Sequence, residues 1–164
     1  TQILMLQNDE DSEEPAQGIS TGSAGSFEYI DDIRTAIYET TATLQTDVID
    51  LSAGSIRLVL ETDGRSLARI SASGDVSLVL ESRQMAGETM TYYEDDGRYE
   101  MTGDPVRIIE ELTSEADDAE MEAVECRETT GQALTFYVGS EALSVDAQSE
   151  VRTTSMNQPC PAVP

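Results

Sequence analysis

The sequence contains no histidine, no lysine and no tryptophan. Without imidazole there is no Ser-His-Asp relay, no histidine metal site and no imidazole switch. Without an amine side chain there is no Schiff-base lysine and no phosphate-loop lysine. The only cations are nine arginines, set against 33 Asp and Glu, for a formal charge of −24. Such a surface repels phosphate backbones, which argues against a nucleic-acid partner. No apolar run approaches the roughly 20 residues of a spanning helix. The chain has two cysteines, Cys126 and Cys160, and neither lies in a C-x-x-C pair. With no histidine to complete a site they do not read as zinc ligands. In an oxidising compartment they form one disulfide tying the C-terminal tail to the body; otherwise they are two separate thiols.

Hydrophobic residues make up 38% of the 164, below the globular share of about 45–50%. The length still suits one domain with a real core. Thr, Ser, Ala and Gly are abundant, and Val, Ile, Leu and Tyr come in short bursts, a mix that favours half-buried strands. Residues 7–26 are polar and acidic, with Asp9, Glu10, Asp11, Glu13 and Glu14 unbalanced by any cation. Residues 1–26 therefore read as a disordered leader. Residues 155–164, with Pro159, Pro161 and Pro164, read as an irregular tail. The folded domain is expected over 27–154.

Within that domain the apolar pattern has period two. Ile56, Leu58 and Leu60 share a face, as do Val76, Leu78 and Leu80; Met90 with Tyr92, Val106 with Ile108, and Leu134 with Phe136 repeat it. Alternation of this kind predicts strands with one face inward and one wet. Asp63-Gly64, Ser73-Gly74-Asp75, Asp96-Gly97 and Gly103-Asp104-Pro105 read as the turns between them. One segment departs from the pattern. Glu110 to Arg127, in an acidic insertion near 110–128, has a weak helical period that its like charges oppose.

The segments also repeat. Ala53-Gly54, a strand, Asp63-Gly64-Arg65, a second strand and Gly74-Asp75-Val76 match Ala86-Gly87, a strand, Asp96-Gly97-Arg98, a second strand and Gly103-Asp104-Pro105-Val106. Weaker copies open at Ala24-Gly25 and Thr130-Gly131. A unit of this size cannot bury its own apolar face, so stacked units must share one core. The expected fold is all-β: an elongated, repeat-built β-jellyroll of two facing antiparallel sheets.

This ordered repetition resembles the OstA-like family of periplasmic lipopolysaccharide transport proteins, the LptA, LptC and LptD N-terminal type. It covers roughly Phe27 to Thr154. The resemblance implies a V-shaped jellyroll whose apolar interior holds lipid A acyl chains. It implies a periplasmic, non-enzymatic carrier or bridge component with no cofactor. Its partners would be lipopolysaccharide and LptC-like or LptD-like domains, joined by pairing of edge strands, or further copies of itself. Residues expected to line the lipid site are Ile56, Leu58, Leu60, Ile70, Val76, Leu78, Leu80, Met90, Tyr92, Met101, Val106, Ile108, Leu134 and Phe136. The same residues would serve equally as a closed core. The alternative function is therefore a structural β-solenoid that polymerises end to end without lipid. Arginines near the rim, or bridging divalent cations, would have to offset repulsion between the acidic carrier and lipid phosphates. Arg57, Arg69 and Arg107 fall at outward strand positions, and Arg65 and Arg98 in turns. The carboxylates show no arrangement that marks an enzyme. The acidic runs Asp9 to Glu14 and Glu115 to Glu120 lack the spacing of a calcium loop.

Overall fold

The computed structural model describes residues 21–80, 82–113, 124–137, 143–145, 150–156 and 160–163. Ten strands follow one another: β1 (Thr21–Ser23), β2 (Ser26–Ile30), β3 (Thr35–Gln45), β4 (Ile49–Leu60), β5 (Leu67–Leu80), β6 (Arg83–Tyr93), β7 (Arg98–Thr113), β8 (Val124–Tyr137), β9 (Leu143–Val145) and β10 (Glu150–Met156). A single 3₁₀ turn, Asp31–Ile33, is the only helical element among the described residues. Every pairing is antiparallel, and all ten strands belong to one sheet in the order β1-β3-β4-β5-β6-β7-β8-β10. Two short strands lie off this path. β2 pairs with β3 beyond β1, and β9 pairs with β8 beyond β10.

The long strands do not run straight. Register shifts interrupt β3/β4 between Glu39 and Ala42, β5/β6 between Ser73 and Val76, and β7/β8 between Thr102 and Val106. Those in β4/β5 between Ser52 and Ser55 and in β6/β7 between Ala86 and Thr89 fall at the same level, and a second β4/β5 shift, at Val59/Leu60, lies near the hairpin end. The extra residues are on β3, β5 and β7: Thr40 and Thr41, Gly74 and Asp75, and Gly103 to Pro105. Thr40, Thr41, Gly74 and Asp75 all have positive φ. Bulges bend the strand that carries them. Aligned across neighbouring strands, they crease the sheet along one line.

The repeated motifs lie on this crease. Each Ala-Gly (or Thr-Gly) pair and each Gly-Asp pair marks a bend rather than the start of a strand. Gly25 separates β1 from β2 and donates its N–H to Thr40 O at 2.9 Å. Gly131 is the register partner of Val106, just past the bend in β7. At Gly87 an added Cβ would lie 2.8 Å from Thr102 O and 2.9 Å from Met101 Cγ. Only a residue without a side chain lets those backbones approach so closely.

Creasing divides the sheet into two layers. The first holds cross-strand rows Ala36–Leu58–Ile70–Tyr92–Tyr99–Phe136 and Tyr38–Ile56–Ala72–Met90–Met101–Leu134. The second holds the row Leu44–Leu51–Leu78–Met85–Ile108–Thr129. A lone sheet would leave such rows wet. Here all are buried, and their apolar members form one cluster drawn from both layers. The two inner faces therefore close on a common interior, as the jellyroll expectation required. The layers are continuous through the crease, so the two facing sheets are halves of one.

Two segments differ from expectation. Thr21 to Ser23, within the stretch read as leader, form an edge strand; residues 1–20 lie outside the described residues. The helical period from Glu110 to Arg127 is not realised at either end. Glu110 to Thr113 complete β7, and Val124 to Arg127 open β8. Pairing with β6 and β8 brings Arg83, Arg107 and Arg127 beside Glu110 and Glu128, which removes the like-charge conflict. Residues 114–123 lie outside the described residues.

Of the two readings of the cysteines, the bonded one is found: Cys126 and Cys160 form a disulfide, with Cα atoms 5.6 Å apart. Beyond it, Val163 N donates to Gln84 Oε1 at 3.2 Å. The tail thus spans from β8 to β6 across β7. This accounts for Ile109, which has outward parity yet is only 2% exposed.

The β4–β5 hairpin closes through a side-chain-capped turn. Asp63 Oδ1 accepts from Arg65 N (2.8 Å) and Ser66 N (2.9 Å), and Oδ2 accepts from Ser66 Oγ (2.6 Å). These bonds, that from the Ser66 side chain foremost, lower the Asp63 pKa to about 2. Two predictions follow from the crease and the turn. Gly87→Ala should cost about 1–3 kcal/mol in urea denaturation, because the opposing carbonyl cannot withdraw. The Asp63 carboxyl should titrate near pH 2 by NMR. Its folded pKa is below the unfolded value of about 3.9, so its stabilisation is complete above that value and disappears as pH falls through about 2. Asp63→Asn should remove this component of the acid profile.

Candidate functional site

The interior is the one feature built by every repeat. All fourteen residues expected to line it face inward, and none is more than 8% exposed. The first layer contributes Ile56, Leu58, Leu60, Ile70, Met90, Tyr92, Met101, Leu134 and Phe136. The second contributes Val76, Leu78, Leu80, Val106 and Ile108. Thirteen of them belong to the same buried cluster; Leu60 is buried outside it. Among the described residues, the surface depressions at Thr46 to Asp50 with Val79, and at Glu128, Thr130, Glu150 and Arg152, are lined by none of the fourteen. Among the described residues the lining of the interior is thus overwhelmingly apolar.

Its composition is uneven. Methionines occupy the middle: Met90 and Met101 are register partners in the first layer, and Met85 lies in the second. Their flexible thioethers adapt to irregular apolar neighbours. Aromatic rings gather toward the end formed by the turns at 61–66 and 94–97. Tyr92 and Tyr99 have centroids 4.4 Å apart, and Tyr99 stacks on Phe136 at 4.7 Å with planes 2° apart. Burial raises the pKa of both tyrosines, and Tyr92 also hydrogen-bonds the Glu94 carboxylate, which raises its value further. Tyr99 was not among the expected residues. Its signal is present, because it falls in phase with Met101 between Arg98 and Glu100. Met85, Leu51 and Leu44 were missed for want of a longer alternating run around them.

At the opposite end, on β6, β7 and β8, a buried carboxylate is paired through both of its oxygens. Glu110 has inward parity, and its side chain is only 4% exposed. Arg83 Nε donates to Oε1 at 2.8 Å, and Arg127 Nε donates to Oε2 at 2.7 Å. The three residues sit side by side on β6, β7 and β8. None was expected at the site. The arginines read as outward or in turns are found there. Arg57 and Arg69 are exposed on the outer face, and Arg107 there pairs with Glu128 at 2.6 Å. Arg98 lies over the outward ring of Tyr93, 4.4 Å from its centroid, and pairs with Asp96 and Glu100. Tyr92 and Tyr93 therefore face opposite ways and do not form one stacking platform.

Among the described residues the sheet ends in strands with one unpaired side each: β1 and β2 beyond β3, and β9 and β10 beyond β8. Such edges leave backbone donors and acceptors free for another strand. No group of three or more metal-ligating side chains occurs among the described residues. The acidic runs Asp9 to Glu14 and Glu115 to Glu120 lie outside them. No described helix is long and apolar enough to cross a membrane.

No family model matches this chain, and no curated protein matches it in sequence. Its fold does have a solved counterpart. The crystal structure of LptH, the LptA-homologous periplasmic component of the lipopolysaccharide transport device of Pseudomonas aeruginosa, superposes with a TM-score of 0.61. The alignment covers 84% of this chain and 94% of that one, at 13% identity. The chain therefore has an LptA-like fold.

The Arg83–Glu110–Arg127 cluster is directly testable. Glu110→Gln leaves two guanidinium groups facing a neutral amide. The expected loss is about 2–3 kcal/mol in chemical denaturation, below the 3–5 of a fully buried pair, because Arg127 is 38% exposed.

Proposed function

We propose that this protein is a non-enzymatic periplasmic carrier or bridge component for lipopolysaccharide. In this reading acyl chains lodge between the two layers, and the open edges join related jellyroll domains. The observation that carries the proposal is the interior itself: one continuous apolar core packed between two layers of a creased sheet, in an LptA-like fold. Burying an acyl chain is favourable by about 0.8 kcal/mol per methylene. Parting the layers exchanges side-chain contacts across the interior for contacts with the chain, apolar for apolar. The free sides of β1, β2, β9 and β10 support edge-to-edge joining by strand addition. The net charge of −24 keeps such a carrier soluble. It also favours a mode of binding led by acyl chains rather than phosphates.

A second reading is favoured by the near-complete burial of the inner residues: a solid scaffold that joins through the same edges and takes up no lipid. Photocrosslinking separates the two. A photoreactive phenylalanine analogue replaces an inward ring, Tyr92 or Phe136, or an outward one, Tyr93 or Tyr137. After incubation with lipopolysaccharide, the inward positions should crosslink to lipid and the outward ones should not. Edge-linked oligomers with no crosslink at any inward position would establish the scaffold instead.

A further inference from the structure

Among the described residues, three buried side-chain polar atoms lack a hydrogen-bond partner: Arg34 Nε, Arg98 Nε and Tyr99 Oη. All three are donors, and all lie toward one end of the first layer. Arg34 precedes β3 beside Leu60, whose N–H it accepts at 3.0 Å, and Arg98 and Tyr99 open β7. The far end, at Glu110, has both carboxylate oxygens satisfied. Arg98 Nε retains an ion-pair contact with Asp96 Oδ2 at 3.3 Å. The Tyr99 hydroxyl has nothing comparable, and the residue is 1% exposed.

An unpaired buried hydroxyl is unfavourable and uncommon in native interiors. Stacking between Tyr92 and Phe136 needs only the ring, and phenylalanine would supply it without that penalty. Tyr92, in the same row, shows the usual solution, with its hydroxyl on Glu94. Burial, and then the Glu94 charge, keep the Tyr99 phenol protonated. Tyr99 is therefore a neutral donor beside a carboxylate. A phosphate placed there would be repelled by Glu94, whereas an uncharged carbonyl oxygen would not.

We propose that the Tyr99 hydroxyl donates a hydrogen bond to an ester or amide carbonyl at the head of an acyl chain held in the interior, and so sets the chain's depth. This rests on the carrier reading above. The turn end, with its unpaired donors, is then the mouth of the interior, and the paired end at Glu110 is its floor.

The test compares the full chain with Tyr99→Phe in three measurements. Without lipid, the variant should melt a few degrees higher, since an unpaired hydroxyl has been removed. Its affinity for purified lipopolysaccharide should fall about three- to tenfold, the worth of one net hydrogen bond. Its affinity for an alkyl maltoside, which has a chain but no carbonyl, should match that of the unaltered protein. Tyr137→Phe, which removes an exposed hydroxyl on the outer face, should leave lipopolysaccharide affinity unchanged. Equal lipopolysaccharide affinity of the full chain and Tyr99→Phe would overturn the role of Tyr99 while leaving the carrier reading intact. So would an equal loss toward the maltoside, an equal loss in Tyr137→Phe, or a lower melting temperature for Tyr99→Phe. Failure of the unaltered protein to take up lipopolysaccharide would overturn both.

Discussion

Six long strands must bend at the same level, and they do so where backbones approach with few side chains between them. At the centre of the crease Gly54 lies against Gly74: a Cβ on Gly54 would be 3.3 Å from Ser73 O and 3.5 Å from Gly74 O. One strand over, Gly103 lies against Gly87, whose Cα would be 3.1 Å from an added Cβ. Everything else depends on this line. Without it the inner rows would form one exposed apolar face. With it, each row faces another across a shared interior. The spacing of the repeats is then a geometric requirement, since each unit must deliver one glycine-bearing bend to the same line.

The acidic surface fits the same plan. Most of the described carboxylates sit at outward positions or in turns, where water screens them. Among the described residues the one that is both buried and inward, Glu110, is held by two arginines from neighbouring strands. That cluster links β6, β7 and β8 where the strands run on past the last apolar row. On the outer face the disulfide and the tail bind β8 to β6 across β7. The second layer is thus tied on both of its faces at one end, and the first layer ends in hairpin turns and unpaired donors. This asymmetry gives the interior a closed end and a loosely satisfied one.

Much of this was legible in the sequence, and the gaps have physical causes. Strict alternation at Ile56–Leu60, Val76–Leu80 and Leu134–Phe136 identified strands and inward faces, because period two is a direct consequence of the pleat. The Ala-Gly and Gly-Asp pairs were visible as repeats. Their place at mid-strand was not, since glycine followed by aspartate reads locally as a turn whether it ends a strand or bends it. β3 was hard to see because its inward residues include Ala36 and Ala42, which carry little hydrophobic signal. Around Glu110 alternation fails: Ile108, Ile109 and Glu110 are all buried, for three reasons (core, tail and ion pairs) that no local pattern encodes. The pairing of Cys126 with Cys160 depends on where the tail crosses the sheet. Tyr99 was in phase, but the Asp96-Gly97-Arg98 turn drew the reading away from it.

If, as proposed, acyl chains lodge between the two layers, the layers must part when lipid is bound. Spin labels at Arg57→Cys on the outer face of the first layer, and at Val79→Cys on that of the second, would report the separation directly; the native cysteines are bonded to each other. Pulsed electron paramagnetic resonance would then compare the protein with and without bound lipopolysaccharide. The account predicts a longer label-to-label distance when lipid is bound. An unchanged distance in a sample carrying stoichiometric lipid would contradict it, because the lipid would then lie outside the interior.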